Sequence, residues 1–287
     1  MFAGTASFGQ PTLTQLREAG HEIALVVTQP DRVAGRGLKL MESGTKRLAL
    51  ELGLEVFQPE RIKEEAAQAR IRQVGADVMV LVAYGQILPA SLLDAPRLGT
   101  LNVHASLLPR HRGPAPIEWS ILSGDRETGV SIMQMDAGVD TGPILAQARV
   151  PLAPDATAGP LEVELANLGA GLMVQTLDGL AHGRITPLPQ PAEGATHAPR
   201  LRSEDGKLDP ATMSAQEIDR RVRALSERLG CWITHNGTEV KVIRGHLDGV
   251  APDGIEVPTT DGRYVVDEVQ PAGGRRMSAA AWARGRR

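Results

Sequence analysis

Apolar runs of strand length alternate with helical segments through the first hundred residues, and that alternation limits the fold more than any other feature of the chain. Residues 21–28 (His-Glu-Ile-Ala-Leu-Val-Val-Thr), 54–57 and 77–83 have the apolar pattern of buried strands, and 100–104 reads as the next strand. Helical spacing fills the intervals at 11–19, 45–52 and 62–74, the first closed by Gly20 as a C-terminal stop. Strands separated by helices predict right-handed crossovers and an α/β domain with a Rossmann-like, mostly parallel sheet. Such a domain ordinarily opens with an apolar strand of about five residues. Only Met1, Phe2 and Ala3 stand before Gly4-Thr5. The expectation is therefore a first strand cut short, by a missed upstream start or a truncation, with its neighbours' ladder groups left unpaired.

Open sheets of this kind hold ligands at the carboxyl ends of their strands. The run at 100–104 ends in Asn102 and His104, two residues apart, so the pleat turns both side chains to one face. Ser106, Leu107, Leu108 and Pro109 follow, and Pro109 is expected to break the strand and leave backbone groups free to face a ligand. On spacing alone such a pair reads more often as hydrogen-bonded structural residues than as a site. Beyond it, 115–122 has helical spacing, 130–136 and 144–150 read as strands, and Gly138, Gly142 and Pro143 between them predict a tight turn carrying Asp140. A long helical pattern occupies 157–183, interrupted by Gly169, Gly171 and Gly179.

The loop at 29–40, Gln-Pro-Asp-Arg-Val-Ala-Gly-Arg-Gly-Leu-Lys-Leu, carries two glycines and three cations but lacks both the dinucleotide fingerprint and the phosphate-loop pattern. A solvated connector is one reading of it. Prolines at 187, 189 and 191 with Gly194 mark a linker, and past it come one helix (214–225) and short strands at 231–234, 239–243, 254–257 and 263–269. Asn236-Gly237, Asp253-Gly254 and Asp261-Gly262 punctuate those strands as hairpin turns, which predicts a small, OB-like β-barrel. The expected domains are thus 1–186, a linker at 187–206, and 207–287.

Composition removes several function classes. Three Trp, two Tyr and three Phe are too few for a base-stacking platform. The lone Cys231 cannot form an internal disulfide, and His21, His182, His197 and His246 are scattered without metal spacing, so no metal is expected. There is no GxSxG elbow, and Ser106 reads as a turn hydroxyl. The longest apolar runs are far below the roughly 20 residues of a membrane span, and no signal-peptide pattern opens the chain, which leads to the expectation of a cytoplasmic protein. The part beyond residue 200 is slightly basic and the rest acidic, a division too weak to establish nucleic-acid binding.

The segment from Asn102 to Ile117, Asn-Val-His-Ala-Ser-Leu-Leu-Pro-Arg-His-Arg-Gly-Pro-Ala-Pro-Ile, resembles the signature of the folate-dependent formyltransferases. Residues 136–144, Asp-Ala-Gly-Val-Asp-Thr-Gly-Pro-Ile, match the family's later Asp at Asp140, and Phe2-Ala3-Gly4-Thr5 and residues 270–278 extend the likeness across the chain. Thr28-Gln-Pro-Asp-Arg32 and the residues after it resemble an inserted loop that, in the family's methionyl-tRNA branch, reaches over the tRNA acceptor end. The resemblance implies transfer of a formyl group from 10-formyltetrahydrofolate to the amine of methionyl-initiator tRNA. By it Asn102, His104 and Asp140 are catalytic, residues 106–109 line the folate pocket, and Arg32, Arg36 and Lys39 face tRNA, in a monomer with no membrane partner. A related formyltransferase or a 10-formyltetrahydrofolate hydrolase would share the same three residues, and an RNA-binding module without activity is a third possibility.

Overall fold

The computed structural model describes residues 1–34, 39–247 and 254–285. Contacts gather the chain into two compact units. The first comprises Met1–Gly113, Thr128–Val150 and Glu162–His197; the second comprises Pro114–Glu127, Pro151–Leu161 and Ala198–Arg287.

The first unit is built on β1 (Phe2–Gly4), α1 (Gln10–Glu18), β2 (Val26–Val27), β3 (Arg32–Ala34), β4 (Lys39–Met41), α2 (Gly44–Glu51), β5 (Val56–Phe57), α3 (Glu65–Gln73), β6 (Met79–Val82), α4 (Ala90–Leu93) and β7 (Thr100–His104). In chain order α5 (Pro116–Leu122), β8 (Glu127–Gln134), β9 (Ile144–Pro151) and α6 (Ala158–Ala181) follow. Seven strands form one sheet in the order β5-β2-β1-β6-β7-β8-β9. Pairing is parallel from β5 to β7 and antiparallel between β7 and β8. The alternation read from sequence is thus a Rossmann-like sheet. Its core includes Ala3, Leu25, Val27, Ile62, Leu81, Tyr84 and Leu92.

Local signals explain the helices. Pro11 stands in the first turn of α1, whose Leu13 and Leu16 are buried, and the chain leaves it at Gly20 with φ +84°. Ser43 caps α2, its Oγ accepting from Lys46 N at 3.1 Å. The glycines of α6 do not break it. At Gly169 a Cβ would lie 2.6 Å from Val103 Cγ1, so the bare backbone is what brings this helix against the sheet.

Two differences from the sequence reading have simple causes. The run 21–28 yields only the two residues of β2, because the ladder from β1 starts where Phe2 N donates to Leu25 O at 2.9 Å. Before that point the Met1 ammonium donates to Val78 O at 3.2 Å, beside a cavity of about 380 Å³ lined by Met1, His21, Ile23, Val78 and Leu177 among others. The loop at 29–40 contains a hairpin, β3 pairing antiparallel with β4 through Val33 and Leu40, both exposed.

The second unit holds α5, the 3₁₀ turn Ser203–Gly206, α7 (Ala215–Leu225), β10 (Cys231–His235), β11 (Thr238–His246), β12 (Ile255–Pro258), β13 (Arg263–Gln270), β14 (Met277–Ser278) and α8 (Ala279–Arg284). Its strands form an antiparallel sheet, β10-β11-β13-β12 with β14 added to β13. The register slips between Val242 and Gly245 bend β11, and Gly245 allows the bend: a Cβ there would meet Val265 O at 2.3 Å. This curled sheet answers to the small barrel expected. Asn236 (φ +48°) and Gly237 (φ +73°) make the hairpin turn their sequence predicts. α7 opens on a capping box, Ser214 Oγ accepting from Glu217 N at 3.1 Å and Glu217 Oε2 from Ser214 N at 2.7 Å. It packs against α5, where the buried Glu118 carboxylate accepts from Arg228. Among the described residues no helix is long and apolar enough to cross a membrane.

Candidate active site

β7 is the strand that presents the site. All five of its residues are buried, and its register sets Asn102 opposite Met133 and His104 opposite Ser131. The two-residue pleat puts the Asn102 and His104 side chains on one face at the carboxyl end of the parallel strands, as their spacing predicts. Residues 101 and 103 occupy the other face, under α6.

His104 is oriented by a backbone group. Its Nε2 lies 2.9 Å from His111 O, and a carbonyl can only accept, so Nε2 carries the proton. His111 holds that carbonyl in place with φ +58°, its own N donating to Thr196 Oγ1 at 2.8 Å. In the neutral imidazole this leaves the lone pair on Nδ1, which faces Asp140 Oδ2 across 3.7 Å. Two acceptors face each other over a gap that is closed by a proton on Nδ1 or bridged by a donor between them. That is a proton-handling pair.

The turn between β8 and β9 delivers Asp140. Asp136 Oδ1 accepts from Gly138 N at 3.0 Å and from the Thr141 hydroxyl at 2.8 Å, which rounds the loop. Gly142 passes so close to Gln134 that a Cβ would sit 1.9 Å from its carbonyl oxygen. Asp140 itself takes φ +51°, and its Oδ2 accepts from Gly113 N at 2.8 Å. The structure therefore brings together the three residues singled out in the sequence.

The turn at 106–109 differs from its expectation. Leu108 N donates to Ser131 Oγ (3.0 Å), Ser131 Oγ donates to Ser106 O (2.7 Å), and Gln147 Nε2 donates to both Ser131 Oγ (2.8 Å) and Leu108 O (2.9 Å). Leu107 O and Pro109 O accept from Arg110 N and Thr196 N. These polar groups are not left free: the Ser131 and Gln147 side chains of β8 and β9 and the backbone of Arg110 and Thr196 bond them, and the Leu108–Pro109 peptide is cis. Ser106 and Leu108 are buried, and the half-buried side chains of Leu107 and Pro109 are what the turn partly exposes.

Of the cations in the 29–40 loop, Arg32 lies exposed in β3 and donates to Gln29 Oε1. Lys39 begins β4, and Arg36 lies outside the described residues. The base of this hairpin is tied to the carboxyl ends of the sheet. Gln29 N donates to Thr5 Oγ1 (3.1 Å) and Gln29 Nε2 to Tyr84 O (2.9 Å). Lys46 Nζ meets Asp31 Oδ2 at 2.6 Å, and that hydrogen bond, helped by one from Gln58, holds the Asp31 carboxyl below its ordinary value.

Sequence reasoning assigned no role to His111, Ser131, Gln147, Gln190 or Thr196. The last two lie in the Pro/Gly-rich stretch, which folds onto the site. Leu188 and Ile144 exchange both backbone hydrogen bonds at 2.8 Å, and Thr196 bonds the 109–112 segment.

The formyl transferase model matches residues 1–177, and the formyl transferase C-terminal domain model matches residues 200–287. The chain is 47% identical to the methionyl-tRNA formyltransferase of Halorhodospira halophila, over 100% of this chain and 96% of that one. It is 44% identical to the methionyl-tRNA formyltransferase of Nitrosospira multiformis, over 98% and 93%. Among solved structures, an N-formyltransferase from Helicobacter canadensis, in complex with folinic acid and dTDP-3-aminofucose, superposes with a TM-score of 0.67 at 16% identity, covering 96% of this chain and 98% of that one. At that identity the likeness is one of fold.

Proposed function

The chain belongs to the formyl transferase family, with both of its domains, and from that premise we propose that it moves a formyl group from 10-formyltetrahydrofolate to the α-amine of methionyl-initiator tRNA. One observation carries this reading: identity of 43–47% to methionyl-tRNA formyltransferases runs through 96–100% of the chain.

The site suits the reaction. Attack of a neutral amine on the formyl carbon forms a C–N bond and turns the carbonyl oxygen into an oxyanion; collapse breaks the bond to the folate nitrogen. The amine loses a proton and the leaving nitrogen gains one. Asn102, buried and with no side-chain hydrogen bond to another described residue, has its amide N–H free for the oxyanion. The pair formed by His104 Nδ1 and Asp140 Oδ2 takes the amine's proton, directly or through a water, and returns it to the leaving nitrogen. An α-amine with a pKa near 7.7 is partly neutral at the start, so neither a covalent nucleophile nor a strong base is needed. Residues 106–109 form the wall against which the folate ring lies. Arg32 and Lys39, on the two strands of the β3–β4 pair, meet the tRNA end together with Arg36 from the same stretch of sequence, the 207–287 region helps hold the tRNA, and the enzyme works as a cytoplasmic monomer.

The test supplies purified protein with formyl donor and charged initiator tRNA, charged elongator tRNA, or no acceptor. Formyl-methionyl-tRNA made with the initiator alone is the expected result. Donor hydrolysis without acceptor, or tRNA binding without turnover, overturns it.

A further inference from the structure

We propose that Gln190 is a positioning residue for formyl transfer, acting through Asp140. Gln190 Nε2 donates to Asp140 O at 2.9 Å and to Gly142 O at 2.7 Å, while its Oε1 accepts from Arg112 Nε at 3.0 Å and Nη2 at 2.7 Å. Both N–H groups and both lone pairs of the amide are thus used. The two donor bonds grip the turn on either side of Thr141, where Asp140 holds a positive φ of +51°. The acceptor side grips Arg112, the residue before Gly113, whose N–H bonds the Asp140 carboxylate. One side chain therefore couples the loop that carries the carboxylate to the segment that carries both its donor, Gly113 N, and the His111 carbonyl bonded to His104.

The chemistry of the position is narrow. Glutamate keeps the acceptor for Arg112 but has no donor for the two carbonyls, and it adds a negative charge next to Asp140. Methionine fills the volume and bonds nothing. Gln190 is itself anchored from both sides, by the Leu188–Ile144 exchange and by Thr196, so its reach is set by the fold.

The inference rests on the role given to Asp140 above, and the experiment separates the two. Steady-state formylation of charged initiator tRNA is measured for wild type, Asp140→Asn, Gln190→Ala, Gln190→Met and Gln190→Glu, and for Gln190→Met in the Asp140→Asn background. Gln190→Met is expected to lower kcat about tenfold or more, with KM for both substrates within about threefold and the thermal midpoint within a few degrees of wild type. With Asp140 already replaced, the same change should cost less than about threefold, since residues that act as a unit are not additive. Gln190→Glu should be no better than methionine. If Gln190→Met keeps more than half of kcat, loses the same factor in both backgrounds, or is rescued by glutamate, the positioning role is wrong while the site stands. Should Asp140→Asn itself run at the wild-type rate, the reading of the site fails first and takes this inference with it.

Discussion

At the scale of single residues the site divides into groups that touch the reacting atoms and groups that aim them. Asn102 belongs to the first kind. Asn102→Ala is expected to lower kcat by about 10²- to 10³-fold, the equivalent of roughly 2.7–4 kcal/mol of oxyanion stabilisation, with little change in KM; single-turnover formylation would read it, and a loss below about fivefold would remove Asn102 from that role. The sequence displays this kind of residue well. Period two at a strand end makes Asn102 and His104 candidates and the surrounding glycines put Asp140 on a turn, but it is the resemblance to the formyltransferase signature that singles the three out. The aiming groups leave weaker traces. The partner that fixes the His104 tautomer is the carbonyl of His111, and any residue at 111 supplies a carbonyl. Gln190 sits between prolines whose composition says linker. Its role exists only because Leu188 adds itself to Ile144 of β9, a pairing 44 residues apart that no local pattern encodes.

At the scale of elements, identical substitutions two residues apart should act in opposite directions. Gly169→Ala puts a Cβ 2.6 Å from Val103 Cγ1, forcing α6 away from β7, so overpacking of about 1–3 kcal/mol outweighs the gain in helix propensity. Gly171→Ala meets only Gln15 Oε1 at 3.6 Å, an ordinary contact, and keeps the propensity gain of up to about 1 kcal/mol. Denaturant midpoints of the two variants on either side of wild type would confirm this; a shift of the same sign would refute it. From sequence both glycines look like interruptions, because what distinguishes them is the partner across the helix. The β3–β4 hairpin was illegible for a related reason: its exposed Val33 and Leu40 lack the burial that makes strand patterns readable, and its base is secured by a polar pair instead. Asp31 there is held below its usual value of 3.8, chiefly by the Lys46 hydrogen bond. A carboxyl depressed in the folded state adds stability above pH 3.8, and that contribution disappears as pH falls through the lowered value. Asp31→Asn should therefore flatten the acid limb of stability below about pH 4 while leaving the neighbouring pH range nearly level. Thermal midpoints between pH 2 and 6 test this, and an unchanged acid limb would assign the slope to other carboxylates.

At the scale of the whole molecule, the composition shift near residue 187 suggests where one might cut the chain, and the contacts say what the cut would remove. Pro114–Glu127 and Pro151–Leu161 lie far upstream of the linker yet cluster with Ala198–Arg287. α5 packs on α7, the buried Glu118 carboxylate accepts from Arg228, Trp119 Nε1 donates to Pro199 O at 3.0 Å, and Arg223 donates to Asp219 Oδ2 (2.7 Å) and Ala156 O (2.9 Å). A fragment ending at residue 206 would keep α5 and the 151–161 segment but lose α7 and Arg228. It would present a bare helix face and strand a carboxylate that is buried in the intact chain, 3% exposed, without its cation. Such a fragment, although it holds Asn102, His104 and Asp140, should bind a hydrophobic dye and aggregate on gel filtration at concentrations where the intact chain does not. Adding Glu118→Gln to the fragment should relieve part of that defect, because a neutral amide costs less to leave unpaired than a carboxylate. A fragment that is monodisperse, with the thermal midpoint of the full chain, would show that the upstream segments gain nothing from the C-terminal part, and that the composition boundary is also the folding boundary.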